Sequence, residues 1–387
     1  MGDLPMKRLS FLLVLGLFFC CGSKVFAQET DWIESEEQIL CPNARSAVLY
    51  EGKTDTLLYN QEMNLRLPPA SMTKIMTLLL TYEALEKGSI QKDTVVTVSE
   101  NAASMEGSKA FLSVGEKITV DELLKCVCIA SANDAAICLA ETICGSEEVF
   151  VDKMNEKVAS LNLKNTHFSD CTGLTSRNHY TSAYDMALIS DYLIDHYPDV
   201  LVYTSLKEDY IRKDTASPFW LVNTNKLLGR VEGINGLKTG YTSFSGYCIT
   251  LHMEKNNMGL ISVVMGYQDS KIRNGESVQL LNYGTMQYEM KTFYQEGAVL
   301  QTIDSILYKD KVNVLIEQAA CYLVKRGEEV EITPKIELDF HAGFSGKVAL
   351  YCKDKLVSEV PLVLSGELKR RTLWELCLAV FVRSFLE

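Results

Sequence analysis

Residues 68–77 read Pro68-Pro69-Ala70-Ser71-Met72-Thr73-Lys74-Ile75-Met76-Thr77, and the rest of the chain is read outward from them. Two prolines end an extended approach, and proline just before a first turn favours a helix start. The apolar run 75–80 continues through Tyr82, Ala84 and Leu85 to Gly88, a residue suited to close a helix. The spacing predicts a helix of about four turns that opens at Ser71 and is apolar on most faces, hence buried. Residues three apart share a helix face. The Lys74 amine is thereby placed beside the Ser71 hydroxyl, at the mouth of a core helix. A serine hydroxyl is a weak nucleophile until a neighbour takes its proton. A lysine does this when burial and nearby positive charge lower its pKa. Taken alone, S-x-x-K also reads as a helix start with an incidental lysine.

Composition narrows the classes. A chain of 387 residues suits two domains, or one large domain with an appendage. The net charge is −12 and the lysines are scattered, so there is no basic stripe for nucleic acid. At the N-terminus Lys7 and Arg8 precede an apolar run over residues 9–19, and Val25-Phe26-Ala27 stands before Gln28. This pattern predicts a secretory signal peptide over residues 1–27. The run is short for a span, which favours cleavage over a retained anchor. Phe18 and Phe19 stand where a lipoprotein signal before Cys20 and Cys21 needs small residues. The mature chain is expected to act outside the cytoplasmic membrane. Its ten cysteines show no framework spacing, and neither C-x-x-C nor H-E-x-x-H occurs. They read as buried small hydrophobes, and no metal or organic cofactor is expected.

Further along, residues 47–50 and 56–59 alternate around Gly52-Lys53-Thr54-Asp55 and predict a β-hairpin. Thr119 to Glu122 forms a capping box opening a helix to about Ala130. There Ser131-Ala132-Asn133-Asp134 interrupts two apolar helices. It reads either as a tight capped turn or as a serine and an amide displayed beside a pocket. Helices are expected over 146–161 and 183–196, with His179 as a surface or loop histidine. Lys238-Thr239-Gly240-Tyr241 precedes a hairpin over 246–253 and 258–265. A strand edge offers backbone N–H groups, Thr239 a hydroxyl, and Lys238 a cation for a carboxylate. Gly240 has no Cβ and would let a substrate backbone come close. A helix over 272–290 closes this region.

Residues 300–365 have a different texture. Short strands over 312–316, 321–324, 328–332, 336–340, 347–352 and 356–362 predict a small β domain. The tail carries Lys369-Arg370-Arg371 and then an apolar stretch over 373–382 broken only by Glu375. It is too short to span a bilayer. A helix lying in the membrane interface, with Trp374 and the basic cluster at the headgroups, is the expected reading. The alternative is a helix docked on the protein or on another subunit.

S-x-x-K at 71–74, S-x-N at 131–133 and K-T-G at 238–240 occur in this order in a chain that carries an export signal. Each is weak alone, but the ordered set is specific. With it the chain resembles the serine D-alanyl-D-alanine carboxypeptidases, the low-molecular-mass penicillin-binding proteins of the S11 peptidase family. The resemblance covers residues 40–290 closely and the C-terminal appendages more loosely. It implies an α/β (α+β) fold: an antiparallel sheet flanked by helices, with a helical subregion carrying Ser131, and a small C-terminal β domain. The implied division is a catalytic domain over 28–295, a β-rich domain over 296–366 and a membrane-associating helix over 367–387.

The resemblance also implies roles. Ser71 is the nucleophile, Lys74 the base, and Ser131 a proton relay to the leaving amine assisted by Lys238. Asn133 would bond the substrate amide, and the N–H groups of Ser71 and Tyr241 would form an oxyanion hole. Thr239 and Arg273 would hold the terminal carboxylate beside Gly240. Tyr241 stands where many relatives have histidine. The implied partners are peptidoglycan stem peptides ending in D-Ala-D-Ala, β-lactams as covalent inhibitors, and a membrane surface. A class A β-lactamase shares the motifs but needs a glutamate in E-x-x-L-N. Leu161-Asn162 is preceded at that position by Val158, so β-lactams are expected to acylate Ser71 and stay. A transpeptidase or endopeptidase differs only in the acceptor or the peptide position. A wall-binding protein on an inactive scaffold is disfavoured because every motif residue is present.

Overall fold

The computed structural model describes residues 39–174, 178–340 and 343–383. The expected signal peptide lies outside the described residues. Strand Met258–Tyr267 is apolar except for Ser262 and buried on both faces, which makes it the centre of a sheet. The five antiparallel strands run in the order Thr56–Gln61, Ser46–Glu51, Met258–Tyr267, Gly246–Lys255, Ile234–Thr242. Ile234–Thr242, which carries Lys-Thr-Gly, is therefore an edge strand with one side free of sheet partners.

Helix Ser270–Gln287 covers one face, with Leu280 and Leu281 joining Leu49, Ile249, Leu251 and Leu260 in an apolar core. Gly284 brings it close, since a Cβ there would stand 2.9 Å from Leu49 Cδ2. The opposite face meets helix Ala183–His196 and, through it, a lobe of helices. That lobe contains Lys74–Glu86, Val120–Lys125, Asn133–Cys144 and Glu147–Ser160.

The hairpin, the helices after Ser146 and Ser182, and the capping box form as the sequence predicts. Thr119 Oγ1 accepts from Glu122 N at 3.2 Å, and Glu122 Oε2 accepts from Thr119 N at 3.3 Å. Three elements differ. The first helix starts at Lys74; Ala70–Thr73 is a 3₁₀ turn, with Ala70 at φ 49. The helix after Thr119 winds into one π turn over Cys126–Ala130, then stops at Ser131 in left-handed conformation. The helix expected over 272–290 ends at Gln287, and Tyr288–Tyr294 is a strand.

That strand pairs with Ala320–Lys325, across the expected boundary at 295 and 296. A second five-stranded sheet follows in the order Val299–Ile303, Val312–Ile316, Lys355–Leu364, Ser345–Cys352, Ile332–Asp339. Val314, Ile316, Val348, Leu350, Val360 and Leu362 form its separate core. A C-terminal sheet domain is thus present. The expected strand over 328–332 is absent: a turn at 326–327, closed by Glu328 N donating to Lys325 O at 3.0 Å, follows the previous strand, and strand structure resumes only at Ile332. Helix Leu373–Arg383 leaves Leu373, Trp374, Leu378, Val380 and Phe381 exposed. Among the described residues no helix is long and apolar enough to cross a membrane.

Candidate active site

The three motifs meet where the edge strand abuts the helical lobe. Gly240 explains the closeness. A Cβ on it would stand 2.6 Å from Pro69 O and 3.2 Å from Ala70 Cβ. On the other side Gly173, at φ +87, lies against the Ala70–Ser71 peptide, where a Cβ would overlap the Ala70 carbonyl. Two glycines thus pinch the turn that carries Ser71. Crowding from both sides accounts for the tight 3₁₀ turn in place of a first α-helical turn. The lack of a side chain at Gly240 serves the protein's own packing, rather than only the substrate approach expected from sequence.

Lys74 is wholly buried. Its Nζ donates to Ser71 Oγ at 3.0 Å, to Asn133 Oδ1 at 2.7 Å and to Thr172 O at 2.7 Å. Burial lowers its pKa from the ordinary lysine value to about 8. Ser71 itself is half-buried, at the rim of the site.

Ser131 and Asn133 come from the break between two helices. The left-handed Ser131 (φ 61, ψ 31) turns the chain, and the Ala132 N–H closes back on Cys126 O at 3.1 Å. This places Asn133 at the start of the next helix. Its side chain is committed at both ends: Oδ1 accepts from Lys74, and Nδ2 donates to Glu106 O at 2.6 Å. Asn133 is therefore first a holder of the lysine. Of its amide, the second Nδ2 hydrogen is what a substrate can still meet.

Lys238 is 1% exposed, and its Nζ donates to Thr239 O at 3.1 Å. Burial, and then the neighbouring charge of Lys74, push its pKa well below the ordinary value. Thr239 Oγ1 donates to Thr224 Oγ1 at 2.7 Å. Tyr241 is 55% exposed and stacks on Tyr247, the ring centroids 4.2 Å apart. Arg273 lies 6.0 Å from the Tyr247 ring centroid. It is buried in the first turn of helix Ser270–Gln287, its Nη1 donating to Cys248 O at 3.0 Å and its Nη2 to Asn274 Oδ1 at 2.8 Å. Burial lowers its pKa as well. Ser71, Lys74 and Asn133 are thus joined directly. Lys238 adds a second buried amine, and Arg273 lies against the Tyr247 ring.

Sequence reasoning missed the loop that closes over Lys74. His179, expected at the surface, is 4% exposed, and its Nε2 lies 2.7 Å from Thr73 Oγ1. The fold tucks it under Phe168, whose ring meets it edge-on at 5.5 Å. Thr172 supplies only a backbone carbonyl, which no motif search detects. Among the described residues no group of three or more His, Cys, Asp or Glu is arranged to hold a metal ion.

A serine and a buried amine of lowered pKa, beside a strand edge with a second buried lysine, define a serine acyl-transfer site between a sheet and a helical lobe. The D-alanyl-D-alanine carboxypeptidase family model, peptidase S11, matches residues 33–269, and the chain belongs to that family. It is 40% identical over 375 residues to the D-alanyl-D-alanine carboxypeptidase DacF of Bacillus subtilis (strain 168), covering 94% of this chain and 95% of that protein. Penicillin binding protein 5 from Haemophilus influenzae superposes with a TM-score of 0.69 at 30% identity, covering 87% of this chain and 100% of that chain. The Streptomyces K15 DD-transpeptidase (S216A mutant) gives a TM-score of 0.59 at 26% identity, over 63% of this chain and 98% of that chain. The fold is that of the penicillin-binding proteins with an added C-terminal sheet domain.

Proposed function

We propose that this protein removes the terminal D-alanine from peptidoglycan stem peptides through an acyl-serine intermediate, as a penicillin-sensitive D,D-carboxypeptidase. The observation that carries the reading is the Lys74 amine, wholly buried, 3.0 Å from Ser71 Oγ. In this reading Ser71 Oγ attacks the carbonyl between the two D-alanines and its proton passes to Lys74. Ser131, assisted by Lys238, relays a proton to the departing D-alanine amine as the C–N bond breaks. Water then attacks the acyl carbonyl, and Ser71 recovers its proton as the shortened peptide leaves.

The N–H groups of Ser71 and Tyr241 face the developing oxyanion. Such donors are typically worth ~3 kcal/mol each in the barrier. Thr239 and Arg273 receive the substrate carboxylate. Gly240 keeps the edge strand against the turn so that these groups converge. In the sequence, Val158 stands three residues before Leu161-Asn162, where the E-x-x-L-N pattern of a class A β-lactamase has its deacylating glutamate. A penicilloyl group on Ser71 should therefore persist.

The chain's substrate lies in the cell wall, and the sequence of residues 1–27 supports export across the cytoplasmic membrane. Helix Leu373–Arg383, with Trp374 78% exposed and Lys369, Arg370 and Arg371 just before it, supports attachment to the outer face of that membrane.

The test is release of D-alanine from diacetyl-L-Lys-D-Ala-D-Ala by residues 28–387, with and without benzylpenicillin. Release that penicillin stops is the expected result. Stable penicillin labelling without release would point to the transpeptidase or endopeptidase reading, which the likeness to the Streptomyces K15 enzyme keeps in view. The absence of both release and labelling would sink the acyl-serine reading.

A further inference from the structure

Residues 169–173 form a clamp on the base that none of the three motifs contains. The Thr172 carbonyl accepts from Lys74 Nζ at 2.7 Å. Asp170 holds that carbonyl's own residue: its Oδ1 accepts from Thr172 N at 2.8 Å, from Thr172 Oγ1 at 2.9 Å and from Gly173 N at 2.5 Å. Two further links, one of them through His179, tie the loop to the turns on either side of Lys74. Thr77 Oγ1 donates to Cys171 O at 2.6 Å. Ser169 N donates to His179 Nδ1 at 3.1 Å, which leaves Nε2–H to donate to Thr73 Oγ1 at 2.7 Å. Asp170 Oδ2 stands 3.5 Å from the same Nδ1.

The arrangement decides where the lysine lone pair points. A neutral amine has two N–H groups and one lone pair. Asn133 Oδ1 and Thr172 O take the two N–H groups. The remaining direction on Nζ meets Ser71 Oγ, whose proton is the one to be removed. Asn133 is anchored by Glu106 O, and Thr172 is anchored by Asp170. Without the second anchor the amine can swing, and a base that is misaligned loses rate without losing substrate affinity.

We infer that Asp170 is a positioning residue for the general base: it fixes the Thr172 carbonyl so that the Lys74 lone pair faces Ser71. The inference rests on the acyl-serine reading above. Asp170 makes no hydrogen bond to the serine or the lysine; it acts through the Thr172 and Gly173 backbone it holds, beside a weaker effect of its charge on Lys74. A plain turn-forming role would give a different signature, because it would track folding stability rather than the chemical step.

The experiment compares Asp170→Ala and Asp170→Asn in residues 28–387, measuring kcat and KM for D-alanine release, the penicillin acylation rate and Tm. Asparagine keeps an Oδ1 acceptor for all three donors, whereas alanine removes it. Asp170→Ala is expected to lower kcat and acylation about 10- to 100-fold with KM within about twofold, and Asp170→Asn to recover most of the rate. Equal losses in both variants, or wild-type kcat in Asp170→Ala, would overturn the inference. Should Asp170→Ala not fold, Asp170→Ser, which keeps one acceptor, is read by the same kcat and KM split. Wild-type protein that releases no D-alanine would instead count against the carboxypeptidase reading itself.

Discussion

The Lys74 amine sits 3.0 Å from the Ser71 hydroxyl, on a side chain wholly removed from solvent and met by two further acceptors. Burial disfavours the charged amine, so its pKa falls to about 8. Only the neutral amine can take the serine proton. The neutral fraction grows as pH rises through about 8 and saturates above it. The penicillin acylation rate should therefore climb between pH 7 and 9 and level off beyond. A stopped-flow pH profile that is flat over this range would argue against Lys74 as the base.

Lys74→Met removes the amine while keeping a side chain of similar length. Acylation should fall by about 10²–10⁴-fold, the usual contribution of a positioned proton acceptor. Penicillin labelling that stays near the wild-type rate would move the base elsewhere.

Lys238 offers its charge to a carboxylate-ended substrate. Lys238→Gln should lower kcat/KM strongly for the acid L-Lys-D-Ala-D-Ala, and much less for the same peptide with a C-terminal amide. Equal losses on the two peptides would show that the carboxylate is read by other groups.

Two glycines make a matched pair. Gly240→Ala puts a Cβ 2.6 Å from Pro69 O, so the strand must move off the turn that carries Ser71. The expected cost is about 1–3 kcal/mol of stability, with a marked loss of acylation. Gly275 is exposed within helix Ser270–Gln287 with nothing within 4 Å of its would-be Cβ. Gly275→Ala should raise stability by about 0.5–1 kcal/mol and leave acylation unchanged. Thermal unfolding and acylation rates of the two variants check both.

The apolar face of helix Leu373–Arg383 is exposed, and its Glu375 is tied to Lys309 at 2.7 Å. Deleting residues 367–387 should leave D-alanine release intact and abolish sedimentation with anionic lipid vesicles. Equal sedimentation of the two forms would assign the helix to another contact.

What the sequence makes legible is what is local. Ser71 and Lys74 share one turn, the Lys-Thr-Gly run lies along one strand, and Thr119 and Glu122 close their own capping box. Each rests on spacings that the backbone alone imposes. What escapes is what depends on distant partners. Residues 288–290 read as a helix end because the strand character of Tyr288–Tyr294 is supplied by Ala320–Lys325. Gly240 reads as a substrate contact because Pro69 is far away in sequence. His179 reads as a loop residue because Thr73, its partner, is separated from it by 106 positions. The Thr172 carbonyl has no side-chain signature at all.

Peptide mapping after a short exposure to benzylpenicillin tests the central claim most directly. The account predicts one penicilloyl group per chain, on Ser71, stable for many minutes because no glutamate stands at position 158 to activate water. The adduct should be absent from Ser71→Ala and formed far more slowly by Lys74→Met. A penicilloyl group on any other residue, or one that persists in Ser71→Ala, would contradict it.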